Sequence, residues 1–383
     1  MKKDNFKRKA GLLAHHLRPA ASAFALGIFA AIVATLLRTL FTQIIRFTVD
    51  TVLLGETGAL PAFLSDRSAG TLLTLACAAA AGVALLEFAV GFVQDSSLPR
   101  GSERFVKSLR DALYMHIQRL PYSWHVQNPT GDIVQRCTSD VEKVRSFIAD
   151  QVLELMGTIF LIAVYMGVMF TMNVKISLLA LAFIPVIVAY SVFFFGKIAK
   201  HFTEADEAEG ELSTVVQENL TGVRVVRAFG RERDELTKFR EKNKKYTDIW
   251  LRVGSMMSNF WTLGDLLSMS QVLCVIVLGV HMCVSGEITL GTYLAFVSYT
   301  RQLTWPVRSL GRVITEMSKV GVSLDRLLYI LESKEEVRPA APKSADLRGD
   351  IRFEHVSFAY EEKPVLRDVT FTVPGGSTRG ILG

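Results

Sequence analysis

The chain has 383 residues, half of them hydrophobic, and a mean hydropathy of +0.31. That is too apolar for an ordinary soluble protein of this length. The formal net charge of +6 and the pI near 9.1 come from loops between apolar runs, so they report membrane topology and exclude a nucleic-acid footprint.

Six runs reach the ~20 apolar residues that cross a ~30 Å hydrocarbon core. They cover residues 20–45, 72–94, 152–172, 176–196, 256–284 and 290–310. The first is too long for a signal-peptide core, and no small-residue cleavage site follows it. Ahead of it stand Lys2, Lys3, Lys7, Arg8, Lys9 and Arg18. The stretch 95–151 is rich in Lys and Arg and 197–255 is richer still, whereas 173–175 holds one lysine and 285–289 none. Basic loops stay cytosolic, so six spans are expected with both termini in the cytosol. Phe6, Ala10, Leu13 and Leu17 share one face of a helix before the first span. It reads either as a helix in the headgroup layer or as a basic tail that only sets topology.

The two large basic loops carry helical periodicity with few breakers at 101–120 and 202–216, so they are expected to continue the membrane helices into the cytosol. Breaks at 120–131 in the first, and at Gly222 and Gly230 in the second, predict two projecting hairpins with short tip segments. Residues 333–342, "SKEEVRPAAP", are a linker by composition. From 350 the pattern turns to β, with strands at 351–356, 365–373 and 378–382 and a Pro-Gly-Gly turn at 374–376. The domain reading is a basic N-terminal helix (1–19), a six-helix membrane domain (20–332), a linker (333–349) and the start of a second domain (350–383). The fold class is an all-α membrane protein with long cytosolic helical extensions, followed by the first strands of an incomplete α/β domain. Thirty-four residues cannot bury a core of their own.

Cys77, Cys137, Cys274 and Cys283 form no CxxC pair, so they read as buried small hydrophobes with no metal or redox role. Ionisable residues inside spans are costly and stand out as functional candidates. Glu87, Asp265 and Arg301 lie well inside the second, fifth and sixth runs, and Arg38 toward the outer end of the first. They either line a water-accessible substrate cavity, with Trp261, Phe260, Tyr293 and Phe296 adding aromatic surface, or pair between helices, as Asp265 with Arg301 would. Pro185 and Pro306 are expected kinks.

Four stretches carry a family likeness: "RLPYSWHVQNPTGDIVQRCTSDVEKVR", "ENLTGVRVVRAFGRERDE", "GEITLGTYLAFVSYTRQLTWPVRSLG" and "VSFAY…PVLRDVTFTVPGG". In this order and spacing the chain resembles the exporter-type half-transporters of the ATP-binding cassette superfamily. That resemblance implies coupling helices at the two cytosolic tips, 122–128 with Tyr122 and Trp124, and 229–235 with Phe229, Arg231 and Glu232. It implies an adenine-stacking role for Tyr360, and Gly383 as the first glycine of a phosphate loop. Lysine, signature motif, magnesium-holding acid, catalytic glutamate and switch histidine all lie downstream in the family. As written, these residues are therefore not expected to hydrolyse ATP, whether the rest belongs to a longer protein or was lost from a truncated one. ATP and Mg are expected in the complete protein and none for this chain alone. The expected partners are a second half-transporter, identical or related, membrane lipid, and a lipophilic or amphipathic drug-like or lipid substrate exported across a bacterial inner membrane. A nucleotide-gated channel or regulator, or a non-hydrolysing scaffold half, are the alternatives.

Overall fold

Apolar runs pass into charged but still helix-forming sequence without Gly-Pro punctuation, and the helices follow them through. The computed structural model describes residues 2–55, 68–336, 349–360 and 363–380. Contacts divide the chain into two units, Met1–Lys334 and Glu335–Gly383.

In the first unit, α1 (Lys2–Leu17) leads through a one-turn 3₁₀ segment into α2 (Ala21–Phe47). Helix α3 (Ala69–Ile117) is capped by the Ser68 hydroxyl and runs 49 residues through Pro99. Two short helices follow, α4 (Tyr122–Gln127) and α5 (Thr130–Gln135). Helices α6 (Val141–Ser146) and α7 (Leu153–Met172) continue α5 as one rod, joined by wider π-helical turns at Arg136–Asp140 and Phe147–Val152. Asn173 is extended and its side chain accepts from the amides of Lys175 and Ile176, which starts α8 (Val174–Ala228) at once. After the reversal at 229–231 comes α9 (Glu232–Val284), then α10 (Leu290–Glu332), capped by Thr289. At 1.5 Å per residue α8 is about 80 Å long, far more than a bilayer core. Its polar half therefore projects from the membrane.

Two apolar cores result. At membrane depth Tyr165, Met169, Ile176, Ile187, Val275, Met282, Phe296, Tyr299 and Leu303 bring α7, α8, α9 and α10 together. In the extensions Phe105, Leu109, Leu113, Trp124, Val141, Val144, Leu324 and Leu327 join α3, α4, α6 and α10. Helix α10 belongs to both. Gly311 lets it approach α8 so closely that a Cβ there would overlap the backbone of Ser191 and Val192.

Several expectations need correcting. Among the described residues five stretches are long and apolar enough to cross a membrane: Gly11–Val52, Ala69–Ile117, Thr130–Met172, Val174–Ala228 and Glu232–Val284. The sixth expected span, 290–310, is helical, but its Arg301, Gln302, Arg308 and buried threonines and serines make it too polar to stand in lipid alone. It is covered by its neighbours instead. Gly222 breaks nothing and lies inside α8, because one glycine costs a helix only about 1 kcal/mol. The second tip has no separate short helix; it is the reversal at 229–231, with Gly230 at φ 62°. None of the four cysteines is fully buried, and Cys77 is exposed. Among the described basic residues of α1, Arg8 pairs with Glu332 and Lys9 Nζ with Asp325 at 2.8 Å, while Leu12, Leu13 and Leu17 pack on the cytosolic core. The side chains of Phe6 and Ala10 lie outside the described residues.

The second unit is an antiparallel hairpin of β1 (Ile351–Tyr360) and β2 (Lys363–Val373), with the Phe353 and Phe371 rings stacked at 4.5 Å. Register shifts kink it where His355 and Asp368 both take positive φ and their side chains meet at 2.6 Å. The turn forms as expected, the Gly375 amide donating to Asp350. Residues 378–380 join no ladder, so among the described residues the expected third strand is not formed.

Candidate transport and coupling sites

The ionisable residues of the spans are mostly partnered, and not always as expected. Arg38 on α2 donates from Nε to Glu87 on α3 at 2.7 Å. Asp265 on α9 does not meet Arg301. It meets Arg308 one heptad further along α10, whose Nη1 and Nη2 both reach Asp265 Oδ1 at 2.9 Å. Helices α9 and α10 form an antiparallel hairpin that turns near 287. Nineteen residues back from Val284 is therefore level with about nineteen on from Leu290, and that register selects Arg308. The guanidinium is 6% exposed; Nη2 also donates to Ser268 Oγ at 3.0 Å, its plane lies 5.7 Å over Trp261, and its Nε has no partner.

Trp261 stacks on Trp305 at 5.6 Å and 9°. Sequence reading missed Trp305 and Arg308; the same hairpin register would have found Arg308. Phe260 and Phe296 are fully buried and Tyr293 half-buried, so these three are core packing and not cavity surface. Arg301 is exposed and has no ion pair among the described residues. It lies about 17 Å along α10 from Leu290.

A cavity of about 540 Å³ opens between α2, α3, α7 and α10, lined by Thr35, Arg38, Gln94, Asp150, Glu154 and Pro306 among apolar residues. A shallower groove of about 510 Å³ shares Arg38 and Gln94 and adds Glu87. Arg38 thus stands between the two. Glu154 takes a hydrogen bond from Arg312 at 2.6 Å, and Asp150 one from Ser146 at 2.8 Å.

At the tips of the helical extensions the aromatics part company. On α4, Tyr122 is 70% and Val126 66% exposed, a pair four residues apart on one face. Trp124 is turned the other way, 8% exposed against α10. At the second tip Phe229 is 76% exposed, Arg231 pairs with Asp234 at 2.5 Å, and Glu232 opens α9, where its charge suits the helix N-terminus. On the nucleotide side Tyr360 ends β1, but its side chain, like Gly383, lies outside the described residues. The described part of the hairpin holds no phosphate-binding loop, so no step of nucleotide chemistry is derived from it.

Residues 24–307 match the ABC transporter transmembrane region. The chain belongs to that family. It is similar to YknU, an uncharacterized ABC transporter ATP-binding protein of Bacillus subtilis (strain 168), with 28% identity covering 99% of this chain and 63% of the relative. It is also similar to the ATP-dependent lipid A-core flippase of Syntrophus aciditrophicus (strain SB), with 26% identity over 99% of this chain and 61% of the flippase. YheI of B. subtilis, which carries a multidrug resistance ABC transporter ATP-binding/permease name, is 31% identical over 74% of this chain and 49% of its own length. The chain thus spans about half to three-fifths of the curated relatives it matches. It is an exporter-type ABC half-transporter chain by family and by architecture.

Proposed function

We propose that this chain supplies the membrane pathway and coupling elements of a dimeric, ATP-driven exporter of amphipathic small molecules, drugs or lipids. The observation that carries the reading is charge at membrane depth on the surface of a single chain. Arg301, about 17 Å along α10 from Leu290, is exposed and has no ion pair among the described residues, and the Arg38–Glu87 pair is only half-covered. Against hydrocarbon such groups cost several kcal/mol, on the order of 2.5–3.5 per residue by insertion scales. A water-filled pathway closed by a second half, identical or related, removes that cost. Glu87, Arg301 and the Trp261–Asp265 edge then face the substrate, and its class follows from the multidrug and lipid names of the relatives.

In the complete protein ATP and Mg would act in cassettes that dock on the tips, through Tyr122 at one, with Trp124 holding that helix from its buried side, and through Phe229, Arg231 and Glu232 at the other. Tyr360 would stack on the adenine and Gly383 would open the phosphate loop. The basic loops support an orientation with both termini in the cytosol, and the bacterial relatives support an inner-membrane location. The test is ATP-dependent transport by the full-length protein and its partner in proteoliposomes, using a fluorescent amphiphilic dye and a labelled lipid. Arg301→Gln and Glu87→Gln are expected to change the preference between the two. Absence of any ATP-dependent movement, or an unchanged preference in both variants, overturns the assignment.

A further inference from the structure

The last turn of α10, where the chain leaves the membrane unit, is gripped from several sides. Trp124 of α4 donates from Nε1 to Ser333 Oγ at 3.1 Å, and its ring stacks on Tyr329 at 6.3 Å and 29°. Ser333 Oγ passes the bond on to the Tyr329 carbonyl at 2.6 Å. His116, at the end of α3, donates from Nε2 to the Ser333 carbonyl at 3.0 Å. Arg136 lies 5.1 Å over the Tyr329 ring. From the N-terminal helix, Arg8 takes Glu332, and Lys9 takes Asp325 and the Gly321 carbonyl at 2.9 Å.

A surface helix of six residues has little rigidity of its own, since isolated helices this short are unstable in water. Helix α4 therefore borrows its position from what Trp124 touches. That indole is the buried face of a helix whose opposite face, Tyr122 and Val126, is open. A chain of two hydrogen bonds closed by a ring stack orients in one geometry only, and each link polarises the next. At Ser333 the backbone turns extended, φ −61° and ψ 138°, so the latch sits on the first residue beyond the helix.

We propose that Trp124 is a positioning residue that locks α4 to the exit of α10 through Ser333 and Tyr329. A displacement of the linker that begins at Ser333 then moves α4 of the same chain directly. The open Tyr122–Val126 face is left free for a docking partner. The inference rests on the exporter reading above.

The experiment uses the full-length protein with its partner, comparing Trp124→Phe, Ser333→Ala, Ser333→Thr and the double Trp124→Phe/Ser333→Ala. Loss of a net 0.5–1.5 kcal/mol hydrogen bond corresponds to about a two- to tenfold fall in dye molecules moved per ATP hydrolysed. That fall is expected for Trp124→Phe and for Ser333→Ala, with the double no worse than either and Ser333→Thr close to the parent. A merely structural role would lower ATPase and transport in proportion and leave the ratio unchanged, which overturns the proposal. Hydrogen exchange on the same proteins is independent of transport. Ser333→Ala is expected to raise exchange in 122–127 as well as at 330–334. Faster exchange at 330–334 alone refutes the latch. If the parent neither hydrolyses ATP nor transports, the exporter reading falls, and the exchange result still decides whether α4 and α10 are locked.

Discussion

Asp265→Ala asks what a nearly enclosed guanidinium on α10 requires. Arg308 is 6% exposed, and its two terminal nitrogens share one oxygen of Asp265 at 2.9 Å. Ser268 supplies one further acceptor, and Gly264 leaves no room to move, since a Cβ there would sit 3.2 Å from the guanidinium carbon. Deleting one partner of a fully buried pair costs about 3–5 kcal/mol, mostly for the charge left behind. Here the carboxylate is 66% exposed, so water can take part of its place. A loss of about 2–3 kcal/mol is expected for Asp265→Ala, and about 1 kcal/mol for Asp265→Asn, which keeps an acceptor. The double variant Asp265→Ala/Arg308→Met removes the charge with its partner and refills the volume, and should recover to within about 1–2 kcal/mol of the parent. The assay is thermal unfolding of the full-length protein in detergent, arranged as a double-mutant cycle. A double variant that melts at or below Asp265→Ala refutes the pairing account. If Asp265→Asn instead leaves melting unchanged and alters which compounds are moved, the residue belongs to the substrate surface.

Three more outcomes follow from other parts of the fold. Asp140 is 1% exposed and accepts from Ser323 Oγ at 2.9 Å, with Lys143 and Arg326 at 3.5 and 3.6 Å. Asp140→Ala should cost about 2 kcal/mol by orphaning the buried hydroxyl, and Asp140→Asn clearly less, as read by melting; equal losses would show that charge and not the hydrogen bond matters. At the start of α10 the Gly291 amide donates to Asp50 Oδ1, and a Cβ at Gly291 would fall on the Arg46 carbonyl and the Asp50 carboxylate. Gly291→Ala should cost about 1–3 kcal/mol of stability, and an unchanged melting temperature would mean that α2 and α10 are not held this closely. In the cytosolic hairpin, hydrogen bonds from Lys245 and Lys242 pull the Glu211 carboxyl from its ordinary 4.5 down to about 2. A lowered pKa stabilises the folded state above the ordinary value and loses that effect as pH falls toward the folded one. The melting difference between the parent and Glu211→Gln should be constant above about pH 5 and shrink between about 4.5 and 2; a difference that stays constant to pH 2 would exclude the ion pair as its source.

Much of this was legible in the residues. Long apolar runs and the helix-forming charged loops were enough to expect long helices that outlast the bilayer, and α3, α8 and α9 are such helices. What was not legible depended on who covers whom. Length and helical continuity made 290–310 look like a sixth span, whereas its polar side chains leave it below the hydropathy of the other five. Hydropathy also cannot tell Phe260, packed on Tyr190 at 5.7 Å, from Trp261 one residue on, which reaches Trp305. Adjacent helix positions differ by about 100° of rotation, and only the packing partner says which of them is inside. The direction of Trp124 was hidden for the same reason: α4 is a single turn and a half, too short for periodicity to mark a buried face.

The polarity of α10 and its central place have one cause. A helix covered by other helices must satisfy its polar groups with protein, and each such group then becomes a tie. From its start to its end, α10 is tied to Asp50 by Thr289 and Gly291, and to α2 by Tyr299, which accepts from Gln43 at 2.8 Å and donates to Thr39. Arg308 ties it to α9, Arg312 to Glu154 of α7, Ser323 to Asp140, and Ser333 to Trp124. Apolar contacts between helices slide at little cost, whereas directed hydrogen bonds allow one register or another but nothing between. A rod tied in this way along its whole length is displaced as a unit or changes register at several ties together. Motion at the Ser333 end should therefore appear at the level of Arg308 and Tyr299. Spin labels placed on exposed positions near each end of α10 in the full-length protein should shift in the same nucleotide states. If only the cytosolic label moves, the helix bends at Pro306 instead of carrying the motion through.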